Sequence, residues 1–325
     1  MDAFVHIVLF VFSAAVIWFF AGLLIESVTN VARRFHQSGF TVAFFVLGIL
    51  TSVSEMSVMV NSSLSGTPQV SAGNLAGASL VILLCIVPLV AIVGNGIELK
   101  NTLKSKNLAA ALFVVVLPVL LMLDGDVSKS EGLACFVAYG ALAYLIRRQD
   151  VHTLPRVIQA VEAELIERRR ATFTDIFKII VGALFIFIAG HLLVEEAVYF
   201  ATVLSIPASI VGLLLLSVGT NIPELVIAVR SILKKRKDIA FGDYLGSTVA
   251  NTLIFGFLPW LNGGFTVEPT EFIGTAVLMV LGFVGFFVCA NSKNNITRRE
   301  GYVLVSVYVT FLAFQVVNFV RFATD

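Results

Sequence analysis

Charge is scarce in this chain. Asp, Glu, Lys and Arg supply 13% of its 325 residues, about half of what a water-soluble domain of this size carries on its surface. Cysteine is nearly absent. Cys85, Cys135 and Cys289 stand at unrelated spacings, which excludes a disulfide framework and reads as three small apolar residues. The four histidines, His6, His36, His152 and His191, are dispersed, so zinc and copper centres lack their usual ligands. No phosphate-cradling loop and no activated nucleophile is present, and an enzyme using carboxylates as acid and base has only a generic pair to rest on. Nothing points to nucleic acid, because the basic clusters have another explanation, given below.

What is abundant is apolar length. Hydrophobic residues make up 58% of the chain, and mean hydropathy is +0.97. Stretches such as Phe4–Ile25, Leu108–Leu123, Leu204–Val229 and Phe272–Ala290 approach or exceed the roughly 20 residues that a spanning helix needs. The pattern predicts an all-α membrane protein with about ten spans, near 4–26, 40–64, 70–97, 107–123, 131–147, 174–194, 204–230, 238–260, 271–290 and 302–321. No basic residue precedes the first apolar run, so Met1–Ile25 reads as a span and not as a cleaved leader.

The loops between these spans alternate in sign. Twenty of the 22 Lys and Arg fall on one side, in Arg33–Arg34, Lys100–Lys106, Arg147–Lys178, Arg230–Lys237 and Lys293–Arg299, leaving Lys129 and Arg321 on the other. Positive loops stay in the cytoplasm, so both termini are expected outside it. The other side collects Asp124, Asp126, Glu131, Glu195, Glu196, Glu268 and Glu271, a field that would gather cations or simply a set of solvated loops. The longest polar segment separates two halves, predicting a first five-helix repeat over 1–147, a cytoplasmic connector over 148–173 and a second repeat over 174–325.

The halves are related in sequence. A gap-free shift of 169 positions aligns Thr51 with Thr220, Glu55 with Glu224, Gly73 with Gly242, Gly77 with Gly246 and Asn74 with Asp243. The charges flanking the two glutamate helices give them opposite directions, so the repeats are inverted. Transporters built this way place their site at the repeat interface near the midplane.

Glu55 and Glu224 sit inside apolar helices with no Lys or Arg at the same depth. An ionised carboxylate there costs about 2.5–3.5 kcal/mol on insertion scales, and a bound cation or proton would offset that. Thr51 and Thr220 precede the glutamates by four residues and share their helix faces. Pro223 removes a helical hydrogen bond and would free the Gly219 carbonyl. Ser52 and Ser54 are placed to loosen the first helix by bonding back to its carbonyls. Oxygen ligands without His or Cys suit Ca²⁺, Na⁺ or K⁺. Gly73 and Gly77, and Gly242 and Gly246, stand four apart and allow close helix packing. Ser247 and Asn251 continue that face in the second half, directed towards the carboxylates.

The run Gly219-Thr-Asn-Ile-Pro-Glu224, followed by Gly242-Asp-Tyr-Leu-Gly-Ser-Thr-Val-Ala-Asn251, closely resembles the second signature repeat of the calcium/cation antiporter superfamily, which includes the sodium/calcium and proton/calcium exchangers. Thr51-Ser-Val-Ser-Glu55 with Gly73-Asn-Leu-Ala-Gly77 resembles the first repeat more loosely. The resemblance implies a ten-helix fold exchanging Ca²⁺ for Na⁺ or H⁺ by alternating access. In it, Glu55 and Glu224 would be the acidic ligands, and Thr51, Thr220, Ser52, Asn221, Ser247 and Asn251 the polar ligands beside them. The chain departs from the family where Ala78 and Ile82 replace the Ser and Asn or Asp usual in the sodium/calcium members. Half of the coordination shell thereby loses side-chain oxygens, and sodium stoichiometry does not carry over.

The expectation is therefore a secondary antiporter in a plasma (inner) membrane, without a cofactor, whose partners are the bilayer and inorganic cations. Its counter-ion stays open between Na⁺ and H⁺, and the competing readings are a proton-coupled or other divalent-cation exchanger and a passive cation channel.

Overall fold

The computed structural model describes residues 3–34, 40, 44–45, 48–98, 103–150, 173–203, 211–222, 224–225, 228–229, 232, 237–292 and 295–324. The expected connector lies almost wholly outside the described residues, as do Pro223 and the basic residues Arg230 and Lys234–Arg236.

The first half runs as α1 (Ala3–Arg34), the short α2 (Gly48–Thr51), α3 (Val53–Leu64), α4 (Pro68–Val81), a π-helical turn at Ile82–Ile86, and α5 (Val87–Val93). Strand β1 (Ile97–Glu98), α6 (Ser105–Leu121), β2 (Asp126–Val127) and α7 (Lys129–Asp150) complete it. The second half contains α8 (Phe173–Val203), a π-helical segment at Val211–Leu216, α9 (Ser217–Thr220) and α10 (Lys237–Asn262). It closes with β3 (Phe265–Thr266), α11 (Pro269–Ser292), β4 (Asn295–Ile296) and α12 (Arg298–Thr324).

Eight of the ten expected spans fall on these helices. The other two, 40–64 and 204–230, fall on interrupted helical stretches around Ser52 and Asn221. Among the described residues, Pro68–Val93, Ser105–Asp124 and Phe272–Ser292 are long and apolar enough to cross a membrane by length and composition. Large apolar side chains such as Phe113, Leu281 and Val288 are exposed along these helices. That is the surface lipid covers, since a soluble protein rarely exposes so broad an apolar band.

The two central helices, 68–93 and 237–262, are matched by the 169-residue offset at both ends. Nearly all of α4 is buried, as is residue after residue of α10 from Ala240 to Thr252. A helix buried all round needs no amphipathic pattern. It needs small residues instead, because tight backbone approach holds membrane helices together where lipid is as apolar as leucine. Gly77 packs against the Leu213 carbonyl and the Ser217 side chain, and Gly246 packs against the Phe44 carbonyl. A Cβ on either would overlap the opposing backbone. These are pseudo-symmetric contacts, since Phe44 and Leu213 occupy equivalent positions. Gly73 and Gly242 are buried in the same helices.

Two small antiparallel ribbons also tie the halves together. β1 pairs with β4 through Ile97–Ile296 and Glu98–Asn295, and β2 with β3 through Asp126–Thr266 and Val127–Phe265.

At the periphery, α1 packs along α8, which also meets α3. The α1–α8 contact includes a pair not foreseen: His6 Nδ1 lies 2.6 Å from Glu196 Oε2, and the His6 ring stacks on Tyr199 with centroids 3.5 Å apart. Glu196 was expected among solvated outer acids. It is only 6% exposed, because α8 continues to Val203 and carries it against α1.

Candidate ion-binding site

Both glutamate helices break at the same place. The first stops at Thr51, turns at Ser52 (φ −75°, ψ 11°) and resumes at Val53. The second stops at Thr220 and turns at Asn221 (φ −89°, ψ 14°). Both turning residues lie near the bridge region of backbone space, and Ser52 and Asn221 are equivalent under the repeat offset. Their side chains bond back into the preceding turn: Ser52 Oγ donates to the Gly48 carbonyl at 2.7 Å, and Asn221 Nδ2 donates to the Ser217 carbonyl. Hydroxyl and amide groups that compete with the helix ladder account for a break in the first repeat, where no proline is present. The Gly219 carbonyl, expected to be freed, accepts the Asn221 backbone N–H. The carbonyl that meets the other repeat is that of Thr220, which accepts the Ser54 hydroxyl at 3.0 Å.

The two breaks bring Glu55 and Glu224 to the repeat interface, and both are fully buried. Glu55 Oε2 accepts the Ser54 hydroxyl at 2.9 Å, and Glu224 Oε1 accepts the Ser247 hydroxyl at 2.8 Å. The remaining oxygens, Glu55 Oε1 and Glu224 Oε2, have no hydrogen-bond partner. Buried carboxylate oxygens without partners are rare, because each forfeits its full hydration. Among the described residues the ion pairs are His6–Glu196 and His191–Glu195, so no described basic side chain compensates these acids.

A second layer links the repeats across the centre. Thr51 Oγ1 donates to Asp243 Oδ1 at 3.3 Å, and its mate Thr220 Oγ1 donates to Asn74 Oδ1 at the same 3.3 Å. Ser52 Oγ lies 3.3 Å from Ser247 Oγ. Asn251 does not reach a glutamate; its Nδ2 donates to Ser79 Oγ of α4 at 3.4 Å. Ala78 and Ile82 are fully buried and bring no oxygen.

The structure thus gathers Thr51, Ser52, Glu55, Thr220, Asn221, Glu224 and Ser247 around the paired breaks, with Asn251 one step removed. Pro223 lies outside the described residues. The sequence marked Ser54 only as a hydroxyl that loosens the first helix, and Asn74 and Asp243 only as an aligned polar pair, not as site residues. That alignment was the signal for two of them. No three or more His, Cys, Asp or Glu residues cluster as a metal cage among the described residues. The oxygen set is instead a few carboxylates amid hydroxyls and carbonyls, which suits hard cations passing through a site.

Two halves meeting at paired broken helices, with partnerless carboxylates in the break, define a class: membrane proteins built around an ion site at a repeat interface. The sequence profile described as "Sodium/calcium exchanger protein" matches residues 5–147 and 175–317, and the chain belongs to that family. It is therefore an integral membrane protein of a transporter family, not an enzyme. Among its relatives, the sodium/calcium exchanger MaX1 of Methanosarcina acetivorans is 33% identical over 139 residues, covering 42% of this chain and 39% of that protein. The inner membrane protein YrbG of Escherichia coli is 24% identical over 303 residues, covering 90% and 91%. The solved structure of the sodium-calcium exchanger NCX_Mj, soaked with Na⁺ and Sr²⁺, superposes with a TM-score of 0.72 at 20% identity, covering 96% of this chain and 99% of that one. The all-helical membrane fold of two inverted repeats, expected from the sequence, is that fold.

Proposed function

We propose that this chain is a secondary antiporter that exchanges Ca²⁺ for Na⁺ or H⁺ by alternating access. Glu55 and Glu224 bind Ca²⁺ and the counter-ion in turn. The observation that carries this reading is the pair of fully buried carboxylates, each with one unpartnered oxygen. Two such charges in a dry interface need about two positive charges to offset their burial, and one divalent cation supplies both. Thr51, Thr220, Ser52, Asn221 and Ser247 complete the oxygen shell, and the helix breaks at Ser52 and Asn221 provide hinge points. Binding Ca²⁺ and the counter-ion at one place makes their occupancies exclusive, and exclusivity couples two fluxes without any further device.

The relatives support the cargo. MaX1 bears the name of a sodium/calcium exchanger, and the NCX_Mj structure, soaked with Na⁺ and Sr²⁺, bears on extracellular ion exchange and binding-site occlusion in that protein. The inner membrane setting of YrbG supports a plasma membrane location, and the charge asymmetry of the loops supports both termini outside the cytoplasm.

The test is uptake of radiolabelled Ca²⁺ into proteoliposomes under separate outward Na⁺, K⁺ and H⁺ gradients. Uptake that requires one of these gradients is expected. Rapid uptake with no opposing gradient would identify a channel instead.

A further inference from the structure

Away from the ion site, the 169-residue offset also relates the two ribbons, which lie at opposite ends of α6. Each ribbon leads into a helix through the same cap. The Thr297 N–H and hydroxyl both donate to Glu300 Oε2 at 2.7 Å, and the Ser128 N–H and hydroxyl donate to Glu131 Oε2 at 2.6 and 2.9 Å. These are capping boxes, and Thr297 and Glu300 are the repeat equivalents of Ser128 and Glu131. The backbone is shared, but the side chains around it are not. Where the first repeat has Lys129 and Ser130 after its cap, the second has Arg298 and Arg299, and where β2 has Asp126, β4 has Asn295. One carboxylate is lost and one guanidinium gained, although the fold requires neither change.

A cavity of about 590 Å³ opens beside the α12 cap. α12 crosses α5 closely at Gly301, against the Pro88 carbonyl and Ile92. Past that crossing the chain turns away through Asn95 (φ 56°) and Gly96 (φ 98°). Asn95, Asn295, Arg298 and Arg299 line the space left between. Glu300 lines it too, but its carboxylate is taken up by Thr297 and by the Ser292 hydroxyl at 2.7 Å. Neither arginine has an acidic partner among the described residues. Arg298 rests over the Tyr302 ring, 5.9 Å from its centroid, and donates to the Tyr302 hydroxyl at 3.3 Å, which leaves most of its five N–H donors unused. Asn295 Oδ1 has no hydrogen-bond partner. Val93, the last residue of α5, and Val303, near the start of α12, are exposed apolar surface on the same two helix ends.

We infer that this cavity holds the phosphate headgroup of an anionic membrane lipid. The planar guanidinium groups of Arg298 and Arg299 match phosphate oxygens, and the amides of Asn95 and Asn295 offer donors and acceptors to the headgroup alcohol. The acyl chains lie along the apolar ends of α5 and α12. Basic pockets between membrane helices are suited to such headgroups, and this one is larger than a bare phosphate needs. β1 comes from the first half and β4 from the second, so a lipid seated here bridges the two repeats at that membrane surface. The inference stands apart from the exchanger reading, since it uses none of the residues around Glu55 and Glu224.

The experiment is native mass spectrometry of the full chain in neutral detergent, titrated with phosphatidylglycerol, with phosphatidylcholine of the same acyl chains, and with free glycerol phosphate. The wild type is expected to hold phosphatidylglycerol about tenfold more tightly than phosphatidylcholine. Arg299→Ser and Asn295→Asp each install the residue that the mirror position carries, at Ser130 and Asp126, so the fold has a precedent for both. Each is expected to weaken phosphatidylglycerol binding about fivefold, the effect of one charge near a membrane surface, and to leave phosphatidylcholine unchanged. The two variants test the site separately, should one of them fail to fold. Lys129→Gln, at the other ribbon, is expected to alter neither lipid. Phosphatidylglycerol binding unmoved by Arg299→Ser and Asn295→Asp would overturn the site, and so would an equal loss in Lys129→Gln, which marks diffuse charge. Free glycerol phosphate binding as tightly as the lipid would overturn the lipid assignment in favour of a soluble phosphate. None of these measurements reads Ca²⁺ transport, so their failure leaves the exchanger reading untouched.

Discussion

Gly246 of the second repeat lies so close to the backbone carbonyl of Phe44 in the first that a single methyl group would not fit between them. Gly77 and Leu213 repeat the arrangement on the other side of the pseudo-two-fold axis. The opposing atoms are backbone and cannot swing away, so Gly246→Ala and Gly77→Ala are each expected to cost about 1–3 kcal/mol by overpacking. A fall in melting temperature and in monodisperse yield in detergent checks this. Gly140→Ala serves as the control, since nothing lies within 4 Å of a Cβ there.

Glu55→Gln and Glu224→Gln keep the shape of the side chain and remove its charge. Each is expected to lower Ca²⁺ exchange by at least about a hundredfold, since losing a group that only orients an ion's ligand already costs about 10–100-fold. Initial rates in vesicles measure it. Normal transport by either variant would contradict the assigned role.

The hydrogen bond between His6 and Glu196 pins α1 to α8. Glu196→Ala leaves His6 buried without its partner and is expected to destabilise the protein by about 1–3 kcal/mol, as an unsatisfied buried polar group does. Glu196→Gln, which retains a hydrogen-bonding amide, should lose less. Thermal unfolding of the two variants side by side distinguishes them.

Membrane orientation is tested by chemistry at exposed loop positions. Lys129 and Lys104 are both exposed; Lys129 opens α7, and Lys104 immediately precedes the adjacent helix α6. A membrane-impermeant thiol reagent added to intact cells is expected to label Lys129→Cys and spare Lys104→Cys. Cys85, Cys135 and Cys289, all free, are first replaced by serine or alanine. The reverse labelling pattern would invert the topology.

Much of this architecture was written in the sequence because it repeats. The 169-residue offset placed Glu55 opposite Glu224 and Gly77 opposite Gly246, and long apolar runs located the helices. What stayed hidden has no periodic signature. The bond between His6 and Glu196 joins residues 190 positions apart, and their repeat equivalents, Asp175 and Ser27, do not form an obvious pair in the sequence. Glu195 and Glu196 also looked like the end of a span, whereas α8 runs on to Val203. The break at Ser52 has no proline to announce it, and its only signal was the one read from the sequence, a hydroxyl able to bond four residues back, which it does. Ser54, which joins Glu55 to the Thr220 carbonyl, is legible only once both breaks are seen to face each other.

The seating of each central helix against the opposite half has a consequence for biogenesis. Because Gly77 seats against the second half and Gly246 against the first, the first half emerges from the ribosome with an unfilled groove shaped for a partner that does not yet exist. Residues 1–150 made on their own should therefore be a poor substrate for stable insertion and a good one for membrane quality control. Supplying 173–325 from a second transcript should rescue them.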